Sequence, residues 1–331
     1  IYILLTEKCN LHCSMCIRGR QSGKELDLTE LKKVIRENDF SRDEIVISGG
    51  EPSLHPQFAE IVELFCDSAA KVGVATNGTQ TSRLAKIAQK ENLFFQISLD
   101  GHSDQHEEIR GKGAYSETWR TIELFEQERT SYTIATVISR KNSGNIKRLV
   151  DTLSELKSMK YWNVSFEMPF GSAGFENMMS AEEWNDFVDE MLDYVPFKMK
   201  IKKIFPFELY NRRKDDLLRI RNSRGTCMNC GGGVNKIYIY PDFEVYPCTC
   251  LTDFSLGNLK ENKLEEILHS EKTSRFSSYE LCEDSICKSC EYVEFCNGGC
   301  IGMSYHYFGK LGMGDIRCPK INKKNEKNFL F

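Results

Sequence analysis

Near the start of the chain the stretch TEKCNLHCSMC (residues 6–16) places Cys9, Cys13 and Cys16 four and then three positions apart, with no fourth cysteine close by. Thiolates are nucleophiles and soft metal ligands. Three of them on a 4Fe-4S cluster leave one iron without a protein ligand, open to the amino and carboxylate groups of a small molecule. A zinc ion completed by a histidine is the other chemistry the triplet allows, and His12 lies inside it.

The chain has 331 residues and fourteen cysteines; three lie at 9–16, one at 66 and the other ten beyond residue 226. A disulfide framework would not leave most of the chain bare, so metal ligation is the better reading of a cytosolic chain. A 40% apolar content is ample for a sizeable core, and a net charge of −4 offers no basic field for nucleic-acid phosphates. No apolar run is long enough to span a bilayer, and IYILLTEK lacks the flanks of a signal peptide, which points to the cytoplasm and away from membranes. The chain opens on Ile1 rather than Met, so a short upstream piece is expected.

The elements that must position the triplet follow from periodicity. Short apolar runs bounded by turn signals occur at 1–5, 45–48, 72–76, 94–99, 133–138 and 162–167. Helical stripes fill the gaps: Leu31, Val34 and Ile35 behind a Thr29 cap, then Phe58, Ile61, Val62, Phe65 and Cys66, the last read as a core residue. A final helix over 180–195 repeats the pattern with Trp184, Phe187, Val188, Met191 and Leu192. Six βα units without a dinucleotide-binding glycine fingerprint predict an α/β fold, a partial (β/α)6 TIM-like barrel, with chemistry at the C-terminal ends of the strands. The cysteine triplet follows strand 1 and falls at that mouth.

C-x3-C-x2-C, with Met15 before the last cysteine, resembles the signature of the radical S-adenosylmethionine superfamily. Ser48-Gly49-Gly50-Glu51-Pro52 resembles its GGEP element, in which backbone carbonyls and the Glu hold the methionine ammonium; Glu51 supplies the charge an ammonium needs when desolvated. The resemblance implies that Ser98 and Arg110 meet the methionine carboxylate and that Asn77 lines the pocket, with Ser139 a weaker candidate for ribose or carboxylate contact. In isolation each of these reads as a turn or a cap. In order, at successive strand ends, they read as one site.

Beyond residue 226, Cys227-x2-Cys230-x17-Cys248 is followed by Cys287-x2-Cys290-x5-Cys296-x3-Cys300-x17-Cys318. This resembles the SPASM extension of radical SAM enzymes, which holds two auxiliary 4Fe-4S clusters. The resemblance implies one cluster on Cys227, Cys230, Cys248 and Cys300, and another on Cys287, Cys290, Cys296 and Cys318; a pair of structural zinc sites is the alternative. The expected domains are a barrel at 1–196, a bridge at 197–226, a SPASM domain at 227–320 and a polar tail at 321–331.

Two positions depart from the family pattern. Phe243 stands where a glycine is usual, so the hairpin turn is expected to differ. Thr249 stands where sulfatase-maturing members place an Asp base, which disfavours that activity. PCTC adds a spare thiol, Cys250, and ELCEDSIC a second, Cys282. The resemblance implies an enzyme that cleaves S-adenosylmethionine to a 5'-deoxyadenosyl radical and oxidatively modifies, by cross-linking, a ribosomally made precursor peptide. A peptide epimerase with Cys250 as hydrogen donor, a small-molecule dehydrogenase and an iron-sulfur electron carrier are the alternatives. A flavodoxin- or ferredoxin-type reductant is implied. No leader-binding domain precedes Ile1, so a separate recognition protein or direct docking is expected. FKMKIKK (197–203) alternates apolar and Lys residues and reads either as a docking edge for an acidic leader or as an edge strand protected by lysines.

Overall fold

The computed structural model describes residues 1–19, 22–201, 207–216 and 236–321. Among these residues ten strands form one sheet: β1 (Tyr2–Leu4), β2 (Glu44–Ser48), β3 (Lys71–Thr76), β4 (Leu93–Ser98), β5 (Tyr132–Ile138), β6 (Met159–Phe166), β7 (Met199–Ile201), β8 (Tyr238–Ile239), β9 (Glu244–Tyr246) and β10 (Gly257–Asn258). Their spatial order is β10-β9-β8-β1-β2-β3-β4-β5-β6-β7. From β1 to β7 every neighbour is parallel and in sequence order, so each crossover runs in the same sense and the sheet curls as an open barrel. The expected partial barrel is present, with a seventh parallel strand on its edge, where Met199 faces Trp162 and Ile201 faces Val164.

The alternation within strands sorts the side chains. In β4, Leu93, Phe95 and Ile97 are buried in the core, whereas Gln96 and Ser98 line a cavity at the barrel mouth. The helices close the outer face. The helix Leu28–Glu37 is capped not by Thr29 but by Asp27, whose carboxylate accepts from Glu30 N at 2.9 Å and so starts the helix earlier than expected. The helix Phe58–Ser68 buries Phe58, Ile61, Val62 and Phe65, with Cys66 half-buried against the same core. Ser180 and Glu183 form a capping box on the helix Ala181–Tyr194, whose Trp184, Phe187, Val188 and Met191 are buried.

The cysteine-rich region joins the sheet through β8, which runs parallel to β1 and carries the antiparallel β9 and β10. The turn between β8 and β9 is built around Phe243. Phe243 adopts the left-handed conformation itself (φ 70°), its N–H donates to Tyr240 O at 2.8 Å, and its ring is buried with Lys260 Nζ 5.0 Å from the centroid. The steric cost of that conformation, about 1–2 kcal/mol, is offset by burial of an aromatic ring.

Candidate functional site

The C-terminal ends of β1 to β6 surround a cavity of about 370 Å³. Cys9, Cys13, Met15 and Cys16 line it from the loop after β1. That loop is held by close backbone approach. A Cβ on Gly50 would lie 2.2 Å from Lys8 O, while Gly50 N donates to Thr6 O at 2.7 Å and Glu51 N to Lys8 O at 2.8 Å. Only glycine permits this contact. Leu11 N donates to Cys9 Sγ at 3.4 Å, and Arg110 directs a guanidinium nitrogen at Cys13 Sγ at 3.9 Å. Burial pushes the Cys9 thiol up to about 11 and raises Cys13 as well. Such thiols are poor anions alone and suit a metal centre that takes their protons' place. Among the described residues no three His, Cys, Asp or Glu side chains converge as ligands of one ion would. His12 is exposed and does not line the cavity, so among the described residues no histidine stands there as a fourth zinc ligand.

The strand-end residues divide into two groups. Gly49, Gly50, Asn77, Ser98 and Arg110 line the cavity with the cysteines. Asn77 Nδ2 donates to Asn10 Oδ1 at 3.0 Å and reaches Cys9 Sγ at 3.9 Å. Arg110 is fixed by Asp100, a fully buried carboxylate bonded to Arg110 Nε at 2.5 Å and to Val137 N at 2.8 Å. Asp100 went unremarked in the sequence, although it lies in the same SLDG segment as Ser98.

Glu51, Pro52 and Ser139 do not line the cavity. Glu51 Oε1 accepts from Ser53 N at 3.1 Å, Ser53 Oγ at 2.5 Å and Thr76 Oγ1 at 2.8 Å, and its Oε2 accepts from Asn77 N at 2.8 Å. Full burial pushes this carboxyl above its ordinary range against those four donors. Through these bonds Glu51 ties the end of β2 to that of β3. Pro52 is buried at the start of a 3-10 turn. Ser139 is buried, accepts from Lys141 N at 3.3 Å and bonds to Glu167.

In the cysteine-rich region two groups gather. A Cβ on Gly302 would lie 3.7 Å from Cys300 Sγ, 3.8 Å from Cys250 Cβ and 3.9 Å from Cys248 Sγ, so the glycine leaves a cradle faced by thiols from distant parts of the chain. The second group is Cys287, Cys290, Cys296 and Cys318. Burial raises Cys296 most, and the other three each push it further; burial likewise takes Cys318 up to about 11. Cys227 and Cys230 lie outside the described residues. None of the described cysteines is in a disulfide, and Cys282 donates to Leu311 O at 3.1 Å.

Tyr238 and Thr249, from the cysteine-rich region, complete the first cavity, so the two regions share one chamber. A second cavity of about 630 Å³ adjoins it, sharing Glu7, Ile17, Arg18 and Thr249 and adding Phe170, Tyr240, Cys250 and His306. None of these residues except Thr249 and Cys250 carries a signal in the sequence; Arg18 stands two positions after Cys16 but belongs to no motif.

A barrel mouth lined by three thiols, sharing its cavity with a thiol-rich extension, defines a radical enzyme with iron-sulfur centres. A sequence model of the radical SAM superfamily matches residues 3–169, and one of SPASM, an iron-sulfur cluster-binding domain, matches residues 227–291. The chain belongs to the radical SAM superfamily and carries the SPASM extension. Its cofactors are S-adenosylmethionine, a 4Fe-4S cluster that binds it, and auxiliary clusters; the half-buried thiols and the Gly302 cradle fit them. The chain is 28% identical to the subtilosin biosynthesis protein AlbA of Bacillus subtilis over 89% of its length and spans 65% of that protein. It is 27% identical to the mycofactocin maturase MftC of Mycolicibacterium smegmatis, covering 98% of this chain and 84% of that one. Streptococcus suis SuiB bound to its precursor peptide SuiA has the same fold, with a TM-score of 0.78 at 16% identity over 96% of this chain and 74% of SuiB. Among the described residues no helix is long and apolar enough to cross a membrane.

Proposed function

We propose that the protein reductively cleaves S-adenosylmethionine and uses the resulting radical to cross-link a ribosomally synthesised precursor peptide by net oxidation. The observation that carries this reading is the shared chamber: Tyr238 and Thr249 of the SPASM side line the same cavity as Cys9, Cys13 and Cys16. Bound there, cluster and cofactor supply one electron and a 5'-deoxyadenosyl radical that removes an unactivated hydrogen. The chain's own residues do the rest. Cys9, Cys13 and Cys16 ligate three irons. Arg110, oriented by Asp100, and Ser98 receive the methionine carboxylate, while the Gly49 and Gly50 backbone faces the ammonium, and Met15 and Asn77 wall the pocket. Glu51, Pro52 and Ser139 hold these groups in place. Cys248 and Cys300, with Cys227 and Cys230, hold one auxiliary cluster; Cys287, Cys290, Cys296 and Cys318 hold the other. Auxiliary clusters suit the removal of a second electron, which is why oxidation is preferred. AlbA, a bacteriocin biosynthesis protein, MftC, a maturase, and SuiB, bound to a precursor peptide, support the substrate class. Thr249, in place of a carboxylate, speaks against sulfatase maturation. A flavodoxin- or ferredoxin-type reductant, a separate leader-recognition protein and a cytoplasmic setting belong to the same reading.

Cys250 lines the second cavity and so favours one other reading, a radical epimerase that returns a hydrogen atom from this thiol. Turnover of a candidate precursor peptide in deuterated water separates the two. Cross-linking removes two hydrogens, one to the deoxyadenosyl radical and one as a proton. A product of unchanged composition carrying one deuterium, abolished by Cys250→Ala, would establish the epimerase instead.

A further inference from the structure

Arg18 and Glu7 stand at the junction of the two cavities and line both. They form an ion pair, Arg18 Nη2 to Glu7 Oε1 at 3.2 Å, with each side chain 16% exposed. The guanidinium lies 4.8 Å from the centre of the Tyr240 ring. Its other terminal nitrogen, Nη1, is buried and meets no hydrogen-bond acceptor among the described residues. The backbones that carry the pair are clamped. Gly171 brings the loop after β6 so close that a Cβ there would lie 2.4 Å from Cys16 O and 2.6 Å from Ile17 C, and Ser172 N donates to Cys16 O at 2.8 Å. Glu7 is enclosed by the Gly50 contact on one side and donates its N–H to Lys24 O at 2.8 Å on the other. Stacking and clamping leave the guanidinium little freedom to seek water, so the unmet donor is part of the resting molecule.

Resting on the peptide reading above, we propose that Arg18 is the substrate anchor: its unmet Nη1–H donates to a main-chain carbonyl of the peptide, placed at the threshold between the cofactor chamber and the second cavity. A planar guanidinium bonds at both of its ends at once, and here Glu7 occupies one. Because Glu7 already balances the charge, the complementary partner is a neutral acceptor; a second carboxylate would face Glu7 and be repelled. A carbonyl held there leaves the attached side chain in the cavity bounded by Phe170, Tyr240 and His306, where the Phe170 and His306 rings pack edge to face at 5.0 Å. Recognition of backbone rather than of a charged side chain also lets one site serve successive residues of one peptide.

The test uses reconstituted, unreduced enzyme with S-adenosylmethionine and a random library of capped hexapeptide amides, from which the tightest binder is resynthesised with a thioamide at each carbonyl in turn. One position is expected to lose about tenfold in affinity, since sulfur is a poor acceptor from a charged donor. Arg18→Lys should weaken the parent peptide by about as much and abolish the thioamide penalty, the non-additivity of groups in direct contact. A thioamide penalty that persists undiminished in Arg18→Lys would overturn the assignment while leaving the peptide reading intact. If wild-type enzyme enriches no peptide, both fall. Glu7→Gln gives an independent reading should Arg18→Lys fail to fold: selection on wild type is expected to deplete Asp and Glu beside the anchored carbonyl, and selection on Glu7→Gln to enrich them. An unchanged preference for acidic residues sinks the proposal.

Discussion

The barrel and the cysteine-rich region are stabilised by different means. In the barrel, one apolar cluster runs from Ile3 in β1 through Phe95, Trp162 and Val164 to Ile201 in β7, and helices of up to fourteen residues cover it. Of the cysteine-rich region, residues 237–267 add to this cluster, through Ile237, Ile239, Phe243, Val245, Leu256 and Leu264 among others, but beyond them the buried clusters are small, such as Leu251, Phe276 and Ile301, and Cys248 and Cys300 are themselves among the packing residues. Its turns rely on left-handed glycines, Gly298, Gly299, Gly309, Gly312 and Gly314 among them. A segment with so little core needs staples, and thiol-to-metal bonds are the staples its sequence provides. The active-site loop is thus expected to keep its fold without metal, whereas residues 281–321 are expected to depend on metal for theirs.

That contrast can be broken at several points. The largest effect should follow removal of iron by a chelator: amides of residues 281–321 should lose their protection in hydrogen exchange, while those of β2 to β6 keep theirs. Uniform loss across the chain would erase the distinction. Next, the fully loaded protein should hold roughly twelve irons, and joint replacement of Cys9, Cys13 and Cys16 by Ala should remove about a third of them with little change in thermal unfolding. Zinc with little sulfide in the purified protein would defeat the cluster reading altogether. Glu51→Gln sharpens the comparison from the barrel side. Its new NH2 would confront donors that now meet a carboxylate, so a loss of about 2–3 kcal/mol in unfolding free energy is expected, together with weaker cofactor binding. Unchanged stability would return Glu51 to a direct ligand role.

The smallest effect concerns His106, fully buried beside the Arg110 site, whose Nδ1 accepts from Asp100 N at 3.1 Å. Burial, with Arg110 adding, pushes its pKa down to about 3. Above the unfolded value near 6.5 both states are neutral and His106 makes no pH-dependent contribution. Below it the unfolded chain takes a proton that the folded one refuses, so stability falls, by about 1–2 kcal/mol at pH 5. His106→Asn should flatten the slope of denaturation midpoint against pH between 7 and 5; an unaltered slope would assign it to other groups.

Strand positions were legible because buried parallel strands leave short apolar runs between turn residues, and the bounds differ by no more than about three residues at any end. Local competition was less legible. Asp27 and Thr29 both precede a helical stripe, and only the reach of the Asp27 side chain to Glu30 N decides between them. The fate of Glu51 was hidden for a different reason: a carboxylate in a ligand motif and one satisfied by Ser53, Thr76 and Asn77 look alike until burial is known. Phe243 shows a side chain bearing a conformation that composition assigns to glycine. The Arg18, Glu7 and Tyr240 junction could not be read at all, since it exists only where the loop after β1 meets a hairpin more than 200 residues later.

The parallel pairing of β1 with β8 also sets a schedule. Tyr2 pairs with Tyr238, its ring stacked on the partner's at 4.8 Å, so β1 finds one of its two neighbours only after β2 to β7 have been made. At roughly 5–20 residues per second, one flank of β1 stays open for tens of seconds during synthesis. Over that interval the cysteine loop hangs from a strand with a free hydrogen-bonding edge, accessible to whatever delivers iron and sulfide but also to stray strands of other chains. The edge closes only when the hairpin that carries Tyr238 is made and pairs with β1.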